Sequence, residues 1–161
     1  VLVVVNVAEG DAAAPPSAGV LAAAKERGGE VLSLCATIEA EIADLPPADQ
    51  PEFLASLGLA EPARARFIRA AYHLLDLISF FTVGDDECRA WTLRRGTPAR
   101  KAAGVIHSDI ERGFIRAEVV HYDAFVRLGT EAKCREAGKL RLEGKEYVVQ
   151  DGDIIHYRFN G

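Results

Sequence analysis

The stretch VLVVVNVAE, residues 1–9, places an unbroken apolar run directly before an asparagine and, three positions later, a carboxylate. The run from Val1 to Val5 contains no polar alternation, which predicts a strand buried on both faces, as in a parallel sheet. Residues 20–27 predict a helix that ends at two glycines, and VLSLC at 31–35 predicts a second strand. This order predicts two parallel strands joined by a crossover helix, with the polar residues gathered at the carboxyl ends of the strands.

Composition narrows the class of protein. The 161 residues are 49% hydrophobic and 27% charged, which is typical of soluble globular proteins. We find no apolar run long enough to span a bilayer and no basic-then-apolar leader, so we expect no membrane association. Cys35, Cys88 and Cys134 fit neither a disulfide framework nor a zinc site and favour a reducing cytosol. The sequence contains no methionine, and we therefore expect a fragment of a longer chain.

The charge is unevenly distributed and suggests two modules. Residues 1–77 carry 5 Lys and Arg against 11 Asp and Glu, whereas residues 78–161 carry 14 against 13. Residues 38–77 have helical spacing with a break at Pro46-Pro47, and the last predicted helix ends near Ser79. We therefore predict an acidic first module over 1–77 and a nearly neutral second module over 78–161.

The second module begins with short strand patterns. CRAWTLRRG at 88–96 predicts a strand that stops at a glycine. Thr97 followed by Pro98 predicts a helix with a threonine cap and proline at its first position. FIRAEVVHY, residues 114–122, predicts a strand whose side chains alternate between a buried and an exposed face.

The remainder of the second module predicts one more helix and a hairpin. Thr130 is in position to cap the helix that carries EAKCREAGK. Residues 145–149 and 154–159 predict a terminal β-hairpin joined by the turn QDGD. Strands with one or two short helices on one face predict an α+β domain of the β-grasp kind.

The tetrapeptide after the first strand is a candidate base-reading motif. Nucleotide hydrolases of the GTPase type, which bind phosphates with a P-loop, recognise guanine through Asn-Lys-x-Asp, whose aspartate accepts from two guanine donors. Here Asn6-Val7-Ala8-Glu9 places valine at the lysine position and glutamate at the aspartate position, which predicts weakened guanine preference. The other interpretation is an ordinary strand end that turns into a polar loop, and these four residues alone do not decide between the two.

Longer stretches carry a resemblance to a known family. NVAE, SLCATIEAEI, IRAAYHLLDL, RAWTLRRGTPARKAAGVIHSDIERGFIRAEVV and GKEYVVQDGDIIHYRFNG resemble the YchF family of Obg-like ATPases over essentially the whole chain. The resemblance implies that residues 1–77 are the α/β end portion of a P-loop NTPase domain with a parallel sheet. It implies that residues 78–161 are an α+β, β-grasp (ubiquitin-like) TGS domain. It also implies ATP as the preferred nucleotide, with base-site residues Asn6, Val7, Glu9, Cys35, Ala36 and Thr37.

The groups that hold phosphates are missing from the sequence. No G-x-x-x-x-G-K-[ST] loop occurs, and no switch threonine or Asp-x-x-Gly can be placed. Because phosphoryl transfer depends on that loop, its lysine and Mg²⁺, we expect no catalytic residue in this segment. The ATP phosphates and Mg²⁺ are expected to bind upstream of residue 1, and these residues alone are expected to be inactive.

A cluster of basic residues in the second module is a candidate RNA-contacting surface, with a solvated surface interspersed with acids as the alternative. The resemblance implies contact with the ribosome, or with ribosomal or transfer RNA, through the TGS domain of a cytoplasmic protein, which we expect to be a monomer. Two other functions stay open: a non-catalytic RNA- or ribosome-binding module, and a GTP-specific Obg-type GTPase. The cluster consists of Arg89, Arg94, Arg95, Arg100 and Lys101.

Overall fold

The computed structural model describes residues 1–84 and 86–161, which form two compact units, Val1–Leu75 and Asp76–Gly161. Across these described ranges, the first unit contains a two-stranded sheet and the second a five-stranded sheet, each with helices. None of the helices in the described residues is both long enough and apolar enough to cross a bilayer.

The first unit begins with the predicted strand–helix–strand arrangement. Strand β1 spans Leu2–Asn6, helix α1 spans Ala18–Glu26 and strand β2 spans Glu30–Leu34. The two strands pair in parallel, in a register that places Asn6 opposite Leu34. The parallel pairing predicted from the apolar runs is therefore confirmed, and it brings the two strand ends together.

The expectation that β1 is buried on both faces is wrong. Val4, in the middle of the strand, is 46% exposed, and Val1 is also exposed. Within the described residues β1 pairs only with β2. A strand side chain is buried only where another element packs on its face of the sheet, so an apolar run alone does not determine its burial.

Three further helices complete the first unit: α2 spans Ala36–Asp44, α3 spans Gln50–Ser56 and α4 spans Ala63–Leu74. The predicted break at Pro46-Pro47 is confirmed, because these residues lie between α2 and α3. The hydrophobic core of the unit is formed mainly by α2, α3 and the residues that precede them. Its buried members are Ala12, Cys35, Ile38, Ile42 and Leu54.

Helix α4 is shorter than predicted. It ends at Leu74, whereas the apolar spacing predicted an end near Ser79. Asp76 adopts a positive φ of 54°, a left-handed conformation that interrupts the helix. The following residues, Leu77–Val83, form strand β3, where β-branched and aromatic side chains are favoured.

The second unit contains a mixed five-stranded sheet. Its strand order is β4-β3-β7-β5-β6, with β3 and β7 parallel and the other pairs antiparallel. The predicted strand within residues 88–96 is confirmed as β4. The strands are β3 (Leu77–Val83), β4 (Cys88–Arg94), β5 (Phe114–His121), β6 (Arg141–Glu143) and β7 (Asp153–Phe159).

Helices of the second unit contribute to two hydrophobic clusters. The larger cluster packs Ala102 and Ala103 of α5 against buried side chains such as Phe80 and Ile155. The smaller cluster contains Val120 of β5 and Cys134 of α8, and Phe125 of α7 packs against it. The helices are α5 (Ala99–Ile106), α6 (Ser108–Arg112), α7 (Tyr122–Leu128) and α8 (Glu131–Glu136).

The smaller cluster shows that the alternation of buried and exposed side chains predicted for β5 is wrong. Residues 117–120 are all buried, although successive side chains of a strand point to opposite faces. The sheet is covered on both faces at this point, by the larger cluster on one side and by the smaller cluster on the other. Helix α7, which sequence patterns did not predict, contributes side chains to the smaller cluster.

The predicted terminal hairpin is wrong. Residues 145–149 form no strand with β7, which instead pairs with β5 and β3. The segment lies at the start of α5, where the Ala99 N–H donates to the Tyr147 carbonyl at 2.7 Å. The Val149 N–H donates to the Thr97 carbonyl at 3.1 Å. These backbone groups are satisfied outside the sheet, so a hairpin is not needed to pair them.

The same contacts explain an error in the predicted helix start. Thr97 does not cap α5, because its Oγ1 donates to the Arg94 carbonyl at 2.6 Å. Pro98 occupies the N-cap position instead, and the first N–H groups of the helix find backbone acceptors. The other predicted cap is confirmed, since Thr130 Oγ1 accepts from the Lys133 N–H at 3.3 Å at the start of α8.

Candidate functional site

Asn6, the last residue of β1, connects the carboxyl ends of the two parallel strands. Its Oδ1 accepts a hydrogen bond from the Ala36 N–H at 3.0 Å. The Val7 N–H donates to the Leu34 carbonyl at 2.8 Å, which extends the pairing beyond β1. Ala36 is the first residue of α2, whose N-cap residue, Cys35, makes no side-chain capping bond. Asn6 therefore caps this helix from the neighbouring strand.

Val7 and Glu9 have different surroundings. Val7 is half-buried and packs against the hydrophobic core of the first unit. Glu9 begins a short 3-10 turn, Glu9–Asp11, in which its carbonyl accepts from the Ala12 N–H at 3.2 Å. The Glu9 side chain is exposed, and no contact within residues 1–84 and 86–161 occupies its carboxylate. This carboxylate is free to accept hydrogen bonds from a ligand.

The other three candidate base-site residues follow β2. Cys35 is 5% exposed, and its side chain belongs to the hydrophobic core. Little of Cys35, backbone included, is therefore open to a ligand. Ala36 and Thr37 are exposed in the first turn of α2. Among the described residues, no group of three or more His, Cys, Asp and Glu side chains is placed to hold a metal ion.

A second long-range cap lies in the same unit, and sequence patterns did not predict which residue supplies it. Glu39 of α2 accepts a hydrogen bond from the Ala63 N–H, the first of α4, at 2.8 Å through Oε1. The N-cap residue of α4 is Pro62, which offers no side-chain acceptor. Pro62 therefore signals that α4 needs an acceptor from elsewhere, but it does not indicate which residue supplies it.

Most of the predicted basic cluster is paired with acidic or carbonyl groups. Arg89 lies 3.5 Å from Glu87 and stacks over the Trp91 ring, and Arg95 lies 3.1 Å from Asp76. Arg100 donates to the Glu111 carbonyl at 3.2 Å, and Lys101 lies 2.7 Å from the Glu111 carboxylate. The remaining member, Arg94, is exposed on β4. Every member is exposed, so each retains donors that face solvent.

Sequence patterns missed a buried carboxylate, Glu118 of β5. Its side chain is 4% exposed and accepts from Arg158 at 3.1 Å and 3.2 Å, through the two carboxylate oxygens. Arg116 and Arg135 also lie within 3.5 Å. Hydrogen bonding to Arg158 outweighs burial and lowers the pKa of Glu118. In the predicted alternating strand, Glu118 falls on the exposed face because it is charged. Its burial was therefore not predicted.

A second buried carboxylate, Asp153, lies at the start of β7. It accepts from the Tyr147 hydroxyl at 2.7 Å and from the Gln150 N–H at 2.9 Å, and Arg141 lies 3.4 Å away. Burial and the bond to Asp153 raise the pKa of Tyr147 to about 12. Through Tyr147 and Asp153, this network links the 145–149 segment to strand β7 of the sheet.

Comparisons with known proteins identify the family to which this chain belongs. The model of the YchF-GTPase_C family, described as a protein of unknown function (DUF933), matches residues 77–160. The ribosome-binding ATPase YchF of Bacillus subtilis is 49% identical over 164 residues, covering 99% of this chain and 45% of its own. The protein of the same name from Haemophilus influenzae is 55% identical over 138 residues, covering 86% of this chain and 38% of its own.

A solved structure of a YchF protein is also similar to this chain. The YchF GTPase of Schizosaccharomyces pombe superposes with a TM-score of 0.83 at 34% identity, covering 96% of this chain and 42% of that chain. The chain therefore belongs to the YchF family. It spans less than half the length of these relatives.

Proposed function

We propose that this chain is part of a ribosome-associated nucleotide hydrolase that, in the intact protein, binds and hydrolyses ATP in preference to GTP. The observation that supports this best is the hydrogen bond from Ala36 to Asn6, which fixes the motif-bearing turn beside the end of β2. The free carboxylate of Glu9 follows directly in the same turn. The names of the relatives, ribosome-binding ATPase and GTPase, agree with this class.

The base preference follows from the donors and acceptors of the two purines. Guanine presents two donors to a carboxylate at the aspartate position, whereas adenine presents an acceptor in place of one of them. Glu9 is one methylene longer than the usual aspartate, and Val7 lacks the lysine stem that covers the sugar and base. Asn6, Val7 and Glu9 would line the base, with Cys35 and the exposed Ala36 and Thr37 following β2 beside them.

The phosphates and Mg²⁺ need groups that these 161 residues do not supply. The sequence contains no P-loop motif, and we propose that another part of the intact protein supplies the phosphate and metal sites. Mg²⁺ bound there would neutralise the phosphate charge. The residues of this chain would bind and orient the base, and we propose that alone they hydrolyse nothing.

We assign the two units to the end of the nucleotide-binding domain and to a TGS domain. The strand order β4-β3-β7-β5-β6, with the last strand between the first and third of the unit, supports a β-grasp fold. The TGS domain would contact ribosomal or transfer RNA in the cytoplasm through the exposed basic cluster of Arg89, Arg94, Arg95, Arg100 and Lys101. The other candidates are a non-catalytic RNA- or ribosome-binding module and a GTP-specific relative.

Exchange of the motif residues in the full-length protein tests the base assignment. The double variant Val7→Lys and Glu9→Asp should bind fluorescent GTP at least about tenfold more tightly relative to ATP, since a hydrogen bond to a charged group is worth about 1.5–3 kcal/mol. Glu26→Asp, the same change on an exposed residue of α1, is the matched control. Unchanged affinities for both nucleotides would show that these residues do not read the base.

A further inference from the structure

A cleft in the first unit is separate from the proposed base site. It has a volume of about 360 Å³ and lies between the 12–16 loop, β2, the 58–61 loop and Arg66 of α4. None of the six candidate base-site residues lines it. Most of its wall is made of alanine, proline and glycine, whose side chains offer no polar groups.

Two residues that line the cleft carry a hydrogen-bond donor without a partner. The hydroxyl of Ser33 and the Nε–H of Arg66 are both buried, and neither makes a hydrogen bond within the described residues. Ser33 is 6% exposed as a whole residue. Buried polar groups are nearly always paired in folded proteins, because an unpaired one loses its hydration without compensation. Two such groups lining one cleft therefore indicate a missing acceptor.

The position of Arg66 is fixed by the protein. Its Nη2 donates to the Ser33 carbonyl at 3.1 Å, which holds the guanidinium against β2. An arginine held in this way loses little side-chain freedom when a ligand binds, so the donor pair is already arranged for an acceptor.

The charge of the cleft favours an anion. Among the described residues, no ion pair neutralises Arg66. This is unusual because Arg66 is half-buried, and buried charges are normally paired. Glu61 is the one acidic residue among the described residues that line the cleft, and it is paired with Arg69. The guanidinium of Arg66 is thus the uncompensated charge at this position.

We propose that the cleft binds the oxyanion group of a small molecule, a carboxylate or a phosphate. One oxygen accepts from Arg66 Nε and another from the Ser33 hydroxyl, and both kinds of donor commonly bind the oxygens of either group. The small apolar walls leave room for a compact body of the ligand. This site does not depend on the proposed nucleotide function.

Nuclear magnetic resonance of the ¹⁵N-labelled chain tests the proposal directly. The Nε–H signal of Arg66 and the amide signal of Ser33 are followed during titration with sodium acetate or with inorganic phosphate, with sodium chloride keeping the ionic strength constant. Saturable shifts of both signals in either titration support the site, and the stronger of the two anions identifies the group. Shifts no larger than those in chloride alone would show that water satisfies the two donors, and would overturn the proposal.

Matched variants separate the two donors from general charge. Arg66→Lys keeps the charge but lacks Nε, and it should weaken binding of the effective anion about tenfold or more. Ser33→Ala removes only the hydroxyl and should also weaken binding, which keeps the test decisive if Arg66→Lys does not fold. Arg64→Lys, on an exposed position of the same helix, should bind like the unaltered chain. Equal binding by all the variants would contradict the proposal.

Discussion

Glu118 and Arg158 form a two-point ion pair across β5 and β7, with Nε at 3.1 Å from one carboxylate oxygen and Nη2 at 3.2 Å from the other. The carboxylate is buried, whereas Arg158 is half exposed. Arg116 and Arg135 approach the same carboxylate from β5 and α8. One residue thus connects two strands and a helix on the face of the sheet that carries the smaller hydrophobic cluster.

Replacement of Glu118 by glutamine should destabilise the protein in a pH-dependent way. The pKa of Glu118 is lowered in the folded state, so its contribution to stability is present above the ordinary glutamate pKa of about 4.5. That contribution is lost as the pH falls through the lowered folded value. We expect a loss of about 1–3 kcal/mol at neutral pH, and chemical denaturation at several pH values measures it.

The matched control is Glu136→Gln, on an exposed position of α8. A difference in the free energy of unfolding between the protein and Glu118→Gln that stays constant from pH 7 to below pH 3 would show that the ionised carboxylate is not what stabilises the sheet.

Replacement of Tyr147 by phenylalanine should loosen the 145–149 segment. The change removes the hydroxyl that donates to Asp153 at 2.7 Å and leaves a buried carboxylate less satisfied. We expect the free energy of unfolding to fall by about 1–2 kcal/mol. Tyr122→Phe, on an exposed position of α7, is the control. Equal stability of the two variants would exclude the Tyr147 hydroxyl as a fastening group.

The same tyrosine should affect stability at alkaline pH. Its pKa is raised from 10 to about 12 by burial and by Asp153, so the folded state holds the proton more tightly than the unfolded state. This contribution is complete below pH 10 and declines between pH 10 and 12. Burial also raises the pKa of Tyr157, so ultraviolet titration of tyrosinate should show late-ionising groups, of which the one near pH 12 is absent from Tyr147→Phe. A spectrum unchanged by the substitution would contradict the assignment.

Replacement of Asn6 tests its role as a helix cap. Asn6→Ala removes the oxygen that accepts from Ala36 and should lower the free energy of unfolding by about 1 kcal/mol. Asn6→Asp keeps the acceptor and adds a negative charge at a helix N-terminus, so its stability should stay close to that of the unaltered protein. If aspartate were as destabilising as alanine, the side chain would not be acting as a cap.

Reversal of charge at Arg94 and Arg95 tests the RNA-contacting surface in the full-length protein. The double variant Arg94→Glu and Arg95→Glu should sediment less with ribosomes, and its binding should depend less steeply on salt because fewer phosphates are contacted. Arg27→Glu with Arg64→Glu makes the same change in charge on exposed residues of the first unit. Equal losses in the two double variants would assign the effect to net charge rather than to this surface.

Features with local causes were predictable from the sequence. The parallel pairing of β1 and β2 follows from two apolar runs around a helix, and the Thr130 cap follows from one side chain and a nearby backbone group. The break at Pro46-Pro47 is likewise set by the residues themselves. Each of these features depends on residues of one segment or of neighbouring segments of the sequence.

Features that depend on distant partners were not predictable in the same way. Residues 145–149 have strand-like composition, yet their backbone pairs with the start of α5. The burial of Glu118 depends on three arginines, two of them distant in sequence. In the candidate base site the Asn6 position was identified from its motif, but its cap on α2 and the Glu39 cap on α4 appear only when the chain is folded.

The position of β7 has a consequence for the timing of folding during synthesis. This strand, Asp153–Phe159, lies in the middle of the five-stranded sheet and is the only bridge between the β3–β4 and β5–β6 pairs in the described residues. Until the ribosome has released it, the two pairs share no backbone hydrogen bonds with each other. We therefore expect the second unit to acquire its fold in one late, cooperative step rather than strand by strand as the chain emerges.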